Sequence, residues 1–140
     1  MKTRSILLIA VLVVAVVAAG EYYSGSFSPT GKGTSVNMQI LGGVGPGTVD
    51  IYSPDNFTVT KGEQVNLAIL NTDDNTHGFV LKQFGVDTGL ILPGQTSRVT
   101  FVANQTGMFE FLEPPSYCTG GIDHHCNSVQ HMWGYLTVSP

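Results

Sequence analysis

Short segments in which apolar and polar residues alternate fill the chain from Thr48 onward, and turn residues separate them. Side chains that alternate with a period of two are typical of β-strands with one buried face, and this region lacks the 3.6-residue period of a helix. The predicted strands are, in chain order, Thr48–Tyr52, Phe57–Thr60, Val65–Leu70, Gly78–Gln83, Arg98–Ala103, Gly107–Leu112 and Trp133–Val138. Short strands at this spacing predict an all-β fold, a Greek-key β-sandwich.

The composition agrees with a small, turn-rich β domain. The 140 residues include 17 Gly and 7 Pro, and only 11% of them are charged. Six Lys and Arg against ten Asp and Glu give a net charge of −4. A nucleic-acid-binding protein needs a concentrated basic surface, so this charge balance excludes nucleic acid as a partner.

An uncharged apolar run, Ile6–Ala19, follows Lys2 and Arg4 at the N-terminus. Residues 1–24 are therefore predicted to form one hydrophobic helix, either a retained membrane anchor or a cleaved secretory signal. The run is shorter than the roughly 20 residues that span a bilayer, whereas the two tyrosines after it fit a retained anchor at the membrane interface. Under both interpretations Lys2 and Arg4 stay on the inner side of the membrane. The folded domain is therefore expected on the outer face of the membrane, which is periplasmic or extracellular.

Residues 25–47 are rich in Gly and Ser and predict a tether, with a possible first strand at Ser35–Leu41. Residues 48–140 are then expected to form the single folded domain. A domain of this size can bury one small hydrophobic core.

Side chains that bind soft metal ions are concentrated near the C-terminus. Both cysteines, three of the four histidines and one methionine lie between Cys118 and Met132. The fourth histidine, His77, follows the polar turn after a predicted core strand. Thiolate, imidazole and thioether groups suit copper, whereas calcium and magnesium prefer oxygen ligands. The loop before the last strand and the end of a middle strand can meet at one pole of a Greek-key sandwich, so one metal site is expected there.

The chain resembles the cupredoxins over residues 48–138. The resemblance is carried by Phe57-x-Val59-x-x-Gly62-x-x-Val65, Asn71…His77-Gly78-Phe79, Pro93-Gly94-Gln95-Thr96, Gly107-x-Phe109 and a terminal Cys…His-Met-x-Gly. Within that family the chain is most similar to the copper-A domain of subunit II of haem–copper oxidases. The predicted N-terminal helix agrees, since some of those subunits carry a single one.

The resemblance implies a copper-binding electron-transfer domain, the electron-entry subunit of a haem–copper terminal oxidase. Such a subunit takes electrons from a cytochrome or a small copper protein. It passes them to haem in a larger membrane-bound partner subunit, and that partner, not this chain, reduces oxygen. The resemblance also implies a binuclear copper centre. Its ligands, carried over residue by residue, would be His77, Cys118, Cys126, His131 and Met132.

The spacing of the C-terminal cluster departs from the family pattern. Seven residues separate the two cysteines, where the family has three, and His131 is followed directly by Met132. Neighbouring residues on an extended backbone point to opposite sides, so both would bind one metal only if the chain bends there. His124 or His125 is therefore an alternative to His131, and the other alternative is that Met132 belongs to the core and is not a ligand.

The residues leave three other interpretations of the cluster open. A mononuclear blue-copper electron carrier needs one cysteine and two histidines, which leaves Cys118 without a role. A disulfide between Cys118 and Cys126 would give a metal-free accessory domain, since two cysteines in an exported domain are usually bridged. The same two cysteines with two histidines would suit zinc.

Other residues near the cluster are expected to have structural roles. Trp133 is expected to seal the core, or else to help an electron enter the site. Glu110, Glu113 and Asp123 are expected at the surface, as solvated charges or as an acidic face for a cationic donor. Asp73 and the aspartate after it are expected only to solvate a turn.

Overall fold

Two β-sheets pack face to face in the computed structural model, which describes residues 33–43, 49–117 and 132–140. Nine strands and one 3-10 turn, Lys82–Phe84, are present within these ranges. The strands are β1 Thr34–Leu41, β2 Ile51–Ser53, β3 Asn56–Thr60, β4 Gln64–Asn71, β5 Val80–Leu81, β6 Val86–Asp87, β7 Thr96–Val102, β8 Gly107–Leu112 and β9 Trp133–Ser139. The all-β sandwich predicted from the sequence is confirmed.

One sheet has four strands in the order β2-β1-β4-β7, and the other has five in the order β3-β9-β8-β5-β6. Consecutive strands mostly change sheet, which is the pattern of a sandwich with crossing connections. β9 lies between β3, to which it is parallel, and β8, to which it is antiparallel. The last strand is thus paired on both sides, and the end of β8 lies beside the start of β9.

Side chains from both sheets form one hydrophobic core. On β4 every second residue is buried, and Val65, Leu67 and Ile69 are among the most buried side chains of the domain. They belong to the same cluster as Phe111 of β8 and Leu136 of β9, which are also fully buried. The alternation that predicts the strands therefore also decides which side chains face inward.

Three buried aromatic rings lie beside the connection between β4 and β5. The ring centroids of Tyr52, Phe79 and Phe111 are 5.0 to 5.6 Å apart in edge-on and tilted arrangements. The Tyr52 hydroxyl donates a hydrogen bond to the carbonyl oxygen of Gly78. The aromatic cluster is thereby tied to the backbone of the connection.

Some elements differ from the predicted strands. The possible strand at Ser35–Leu41 is present as β1 and pairs in parallel with β4, so the folded body begins before residue 48. The segment Gly78–Gln83 holds only the two residues of β5, because the chain then winds into the 3-10 turn and ends it at Gly85 with φ 66°. The sequence did not predict β6, because two residues are too few to show an alternation of apolar and polar side chains.

The hydrophobic helix expected over residues 1–24 lies outside the described residues, and so does part of the expected tether. Within the described ranges, no helix is long and apolar enough to cross a membrane. The anchor, the alternative secretory signal and the outward orientation therefore stay predictions.

Gly134 marks a position where the sandwich leaves no room for a side chain. A Cβ atom there would overlap the carbonyl oxygen of Asp55 and would lie 2.5 Å from the ring of Phe111. Gly134→Ala is expected to lower the free energy of unfolding by about 1–3 kcal/mol, because overpacking strains a dense core. Urea denaturation of the full-length protein measures the change.

Gly33→Ala is the matched control for this substitution. A Cβ atom at Gly33 would lie 3.5 Å from its nearest neighbour, which is an ordinary van der Waals contact. Its free energy of unfolding is therefore expected to stay close to that of the unchanged protein. Equal stabilities of the two variants would contradict the packing described around Gly134.

Candidate metal centre

His77 lies in the connection between β4 and β5, at one pole of the sandwich. Its backbone N–H donates to the carbonyl oxygen of Ile91 at 3.2 Å, and its carbonyl oxygen accepts from the Ile91 N–H at 2.7 Å. Its side chain is fully buried. Two backbone hydrogen bonds and complete burial therefore fix where the imidazole ring lies.

Both nitrogens of the His77 ring contact carboxylates. Nδ1 lies 2.9 Å from Oε1 of Glu113, and Nε2 lies 2.7 Å from Oδ2 of Asp73. A third carboxylate oxygen, Oδ2 of Asp50, lies 3.9 Å from Nε2. The side chains of Glu113, Asp73 and Asp50 are only 3%, 10% and 9% exposed, respectively. These three carboxylates and His77 form a buried group that we call the pole cluster.

The contacts shift the pKa values of His77 and Asp73 in the directions that favour an ion pair. Burial alone would raise the pKa of Asp73, but hydrogen bonds from His77 and Asn75 outweigh it and lower the pKa to about 2. Burial alone would lower the pKa of His77, but its hydrogen bonds with Glu113 and Asp73 raise that pKa above its ordinary value. The carboxylates therefore favour the protonated, positively charged ring.

The polar turn before His77 positions Asp73. Asn71 is fully buried, and its side-chain amide donates to the carbonyl oxygens of Asn75 and Ile91 at 2.7 and 2.8 Å. The side-chain oxygen of Asn71 accepts from the Asp73 N–H at 3.0 Å, and Asn75 Nδ2 donates to Asp73 Oδ2 at 3.0 Å. The expectation that Asp73 only solvates a turn is wrong, because these bonds hold its carboxylate against His77.

Glu113 directly follows β8 and is 2% exposed, so the expectation that it lies at the surface is wrong. Its Oε1 also accepts from the Gly78 N–H at 3.2 Å, and its backbone N–H donates to the carbonyl oxygen of Met132 at 2.9 Å. The inward direction of the Glu113 side chain could have been predicted from the alternation of side chains along β8. Phe109, Phe111 and Glu113 share one face of the strand, and both phenylalanines contribute to the core.

Met132 is buried in the core, whereas Trp133 is 58% exposed. The expectation that Trp133 seals the core is therefore wrong. Neighbouring residues on a strand face opposite sides, so burial of Met132 and Gly134 leaves Trp133 outside. Trp133 lines a surface cavity of about 170 Å³ whose walls also include Met132, Asp50 and Ile51.

The segment rich in cysteine and histidine is attached to this pole at both ends. Before the segment, the ring of Tyr117 packs on the backbone of Gly78, so closely that a Cβ atom on Gly78 would collide with it. After the segment, the carbonyl oxygen of Met132 accepts the hydrogen bond from the Glu113 N–H. The residues that lie outside the described ranges are the predicted ligands Cys118, Cys126 and His131 and the alternatives His124 and His125.

The structure therefore brings two of the predicted ligands to one place. His77 contacts Glu113 through its ring, and Met132 contacts the same residue through the backbone. The described residues around His77 offer a metal ion one buried imidazole and the carboxylate oxygens of Asp50 and Asp73, and the thioether of Met132 is buried in the core. Imidazole and thioether together are donors that suit copper.

The sequence profile of the cupredoxin-like domain family matches residues 47–116, which is half of the 140-residue chain. Two nitrous-oxide reductases are similar in sequence. That of Stutzerimonas stutzeri is 42% identical over 93 residues, and that of Ralstonia nicotianae is 33% identical over 81 residues. The two alignments cover 64% and 56% of this chain but only 13% and 11% of those proteins, so the chain spans a small part of their length.

A solved structure of copper nitrite reductase from Nitrosomonas europaea is similar in fold. Its TM-score is 0.59 at 20% sequence identity, over 78% of this chain and 42% of the reductase chain. At this identity the match shows a shared fold.

The ion pair between Asp73 and His77 is expected to make stability depend on pH. The lowered pKa of Asp73 stabilises the fold above the ordinary carboxyl pKa, and this contribution is lost as the pH falls toward 2. The raised pKa of His77 stabilises the fold fully below 6.5, and this contribution is lost as the pH rises through the folded value. The pair therefore contributes most in mildly acidic solution.

Asp73→Asn is expected to lower the free energy of unfolding of the metal-free, full-length protein by about 1–2 kcal/mol at mildly acidic pH. The loss should be smaller in alkaline solution, where the His77 ring is neutral and the pair is already weakened. Urea denaturation at the two pH values measures both. Asp74→Asn is the matched control, because Asp74 is exposed. An equal loss in Asp73→Asn at both pH values would contradict the ion pair.

Proposed function

This chain belongs to the cupredoxin-like domain family, and we propose that it binds copper at the pole around His77 and transfers single electrons. The observation that carries the proposal is that Glu113 contacts both residues: its side chain contacts the His77 ring, and its backbone is hydrogen-bonded to Met132. A buried imidazole and a buried thioether are thereby held beside both ends of the segment with the predicted thiolates and further imidazoles.

The donor set supports copper over harder metal ions. His77 supplies an imidazole and Met132 a thioether, and both side chains are buried away from water. The predicted ligands Cys118, Cys126 and His131 add thiolates and a second imidazole. Soft sulfur donors combined with imidazole select copper. Copper, when bound, supplies a one-electron Cu(II)/Cu(I) couple.

The chain's own residues support a rigid ligand frame, which a fast electron carrier needs. The Asp73 carboxylate orients the His77 ring from its Nε2 side, and the backbone of Ile91 holds His77 in place. The Tyr52 hydroxyl fixes the Gly78 carbonyl next to His77. Ligands held in this way have little freedom to rearrange when the charge of the site changes.

The resemblance to copper-A domains supports a narrower form of the proposal. The chain would carry a binuclear copper centre and act as the electron-entry subunit of a haem–copper terminal oxidase. A cytochrome or small copper protein would be the donor, haem in a larger membrane subunit the acceptor, and residues 1–24 the anchor that keeps the domain outside. Exposed Trp133, next to Met132, would give electrons a point of entry at the surface.

The similarity to nitrous-oxide reductases favours a second candidate function. The chain would perform the same electron transfer but deliver the electron to a reductase of nitrogen oxides instead of an oxidase. Affinity purification of the full-length chain from its native membranes separates the two. A large haem-bearing membrane subunit in the purified complex would support the oxidase, and a separate nitrogen-oxide reductase would support the second candidate.

The copper content and electron paramagnetic resonance spectrum of the loaded, full-length chain test the centre itself. Two coppers per chain that share one unpaired electron are expected, with the hyperfine pattern of two equivalent copper nuclei. One copper with an intense blue absorption band would instead indicate a mononuclear carrier. No bound copper and no free thiol would contradict the proposal and favour the accessory domain closed by a disulfide.

Cys126→Ser is expected to abolish copper binding, because it removes a thiolate ligand that serine does not replace for a soft metal. Atomic absorption of the purified, full-length protein gives copper per chain. Ser128→Ala, a change in the same segment that removes no predicted ligand, is the matched control and is expected to keep its copper. Full copper content in Cys126→Ser would refute the assignment of this cysteine.

A further inference from the structure

Glu113 is a buried carboxylate to which the family resemblance gives no role. Its side chain is 3% exposed, and the only ion-pair partner it has among the described residues is His77. A carboxylate that is buried without full compensation is costly, so such groups are paired or bind a metal. Because His77 is already shared with Asp73, this one imidazole faces two close carboxylates.

The two carboxylate oxygens of Glu113 differ in their contacts. Oε1 contacts His77 Nδ1 at 2.9 Å and accepts from the Gly78 N–H at 3.2 Å. Within the described ranges, no group donates a hydrogen bond to Oε2. The described residues therefore leave lone pairs of this buried oxygen without a partner, and leaving a buried acceptor unused is unfavourable.

The two sides of the His77 ring have different partners. On the Nε2 side, Asp73 Oδ2 accepts from Asn75 and Asp50 Oδ1 accepts from the Gly43 N–H, so two carboxylates held by the chain lie there. On the Nδ1 side lies the single carboxylate of Glu113, whose Oε1 accepts from the Gly78 N–H. A metal-binding histidine usually donates its second N–H to such a held carboxylate. On this basis Asp73 is a positioning residue, and Nδ1, on the side of Glu113, is the nitrogen that faces the metal.

Met132, the other predicted ligand among the described residues, is joined to Glu113 through the backbone. Met132 follows the segment with the cysteines and pairs with the Glu113 backbone at 2.9 Å. Two ligand atoms that are each about 2.0–2.2 Å from the same metal lie roughly 3 Å apart, depending on the angle between the bonds. The 2.9 Å between Nδ1 and Oε1 is a hydrogen-bond distance in the metal-free protein, and a metal could replace the shared proton with little movement of either atom.

We propose that Glu113 is itself a ligand of the copper centre, through its carboxylate, beside Nδ1 of His77 and the thioether of Met132. This inference rests on the proposed copper-binding function. It makes the centre a mixed oxygen, nitrogen and sulfur site, whereas the resemblance implies ligation by cysteine, histidine and methionine side chains. A hard carboxylate oxygen stabilises Cu(II) relative to Cu(I), so the centre has a lower reduction potential than it would have with a neutral group at this position.

Glutamate labelled with ¹³C at the side-chain carboxyl tests the proposal in the unchanged, full-length protein. The sequence contains four glutamates, and of the three that the structure describes, Glu113 is the one at the pole. Pulsed electron–nuclear double resonance on the copper-loaded chain is expected to show a strong ¹³C coupling, because the labelled carbon lies one bond from the ligating oxygen. A carboxylate that only positions His77 would not produce a coupling of that strength.

Glu113→Gln and Glu110→Gln assign the signal. Glu110 is exposed on β8, the strand that Glu113 directly follows, so its variant is expected to keep both the copper spectrum and the ¹³C coupling. Glu113→Gln is expected to lose the coupling, to bind Cu(II) at least about tenfold more weakly and to show a higher reduction potential. If Glu113→Gln does not fold, Glu113→Asp is used instead. Its aspartate keeps a carboxylate at this position, but the label is on glutamate, so the ¹³C coupling is again expected to disappear.

The outcomes separate this inference from the proposed function. Copper bound to the unchanged chain without a ¹³C coupling would overturn the role of Glu113 and leave the copper function intact. A coupling that persists in the Glu113 variants would also overturn it. A chain that binds no copper would refute the proposed function and this inference together.

Discussion

Burial of the His77 imidazole between the carboxylates of Asp73 and Glu113 is the constraint on which the rest of the pole depends. In a medium of low dielectric constant, each of these groups would be unfavourable alone. Together they compensate one another in part, and the ring is fixed in both position and orientation. The fold supplies the groups from separate parts of the chain: the β4–β5 connection contributes Asp73 and His77, and the end of β8 contributes Glu113.

The two sheets bring these parts together. β4 ends in the polar turn that leads to His77, while β8 and β9 pair so that the end of one lies beside the start of the other. The backbone bond between Glu113 and Met132 extends that pairing by one step beyond the strands. The segment between β8 and β9, in which the soft donors are concentrated, therefore leaves from and returns to the pole cluster. Binding residues often lie on segments that a rigid scaffold positions in this way.

The strands could be predicted from the sequence because their alternation is local. The burial of Val65, Leu67 and Ile69 follows from the same period of two. The positions of Asp73 and Glu113 could not be predicted in the same way, because their burial depends on contacts with His77, from which Glu113 is 36 residues away in sequence. A carboxylate in a turn or at a strand end is usually solvated, and only the paired fold shows the exceptions.

Among the predicted metal ligands, the positions of His77 and Met132 could be anticipated because they follow or precede recognisable strands, while their binding of a metal stays a prediction. Both lie at the expected pole. Cys118, Cys126 and His131 stay predictions, since they fall in a segment whose spacing departs from the family pattern and which lies outside the described residues. The contrast has a physical reason, because the sequence of that segment lacks the periodic alternation from which positions can be derived.

Copper bound at the pole cluster would be visible by anomalous X-ray diffraction at the copper absorption edge, from crystals of the copper-loaded full-length protein. We expect an anomalous peak within bonding distance of His77 Nδ1 and the Glu113 carboxylate. A copper peak elsewhere on the protein, or crystals of folded protein without any copper peak, would contradict it.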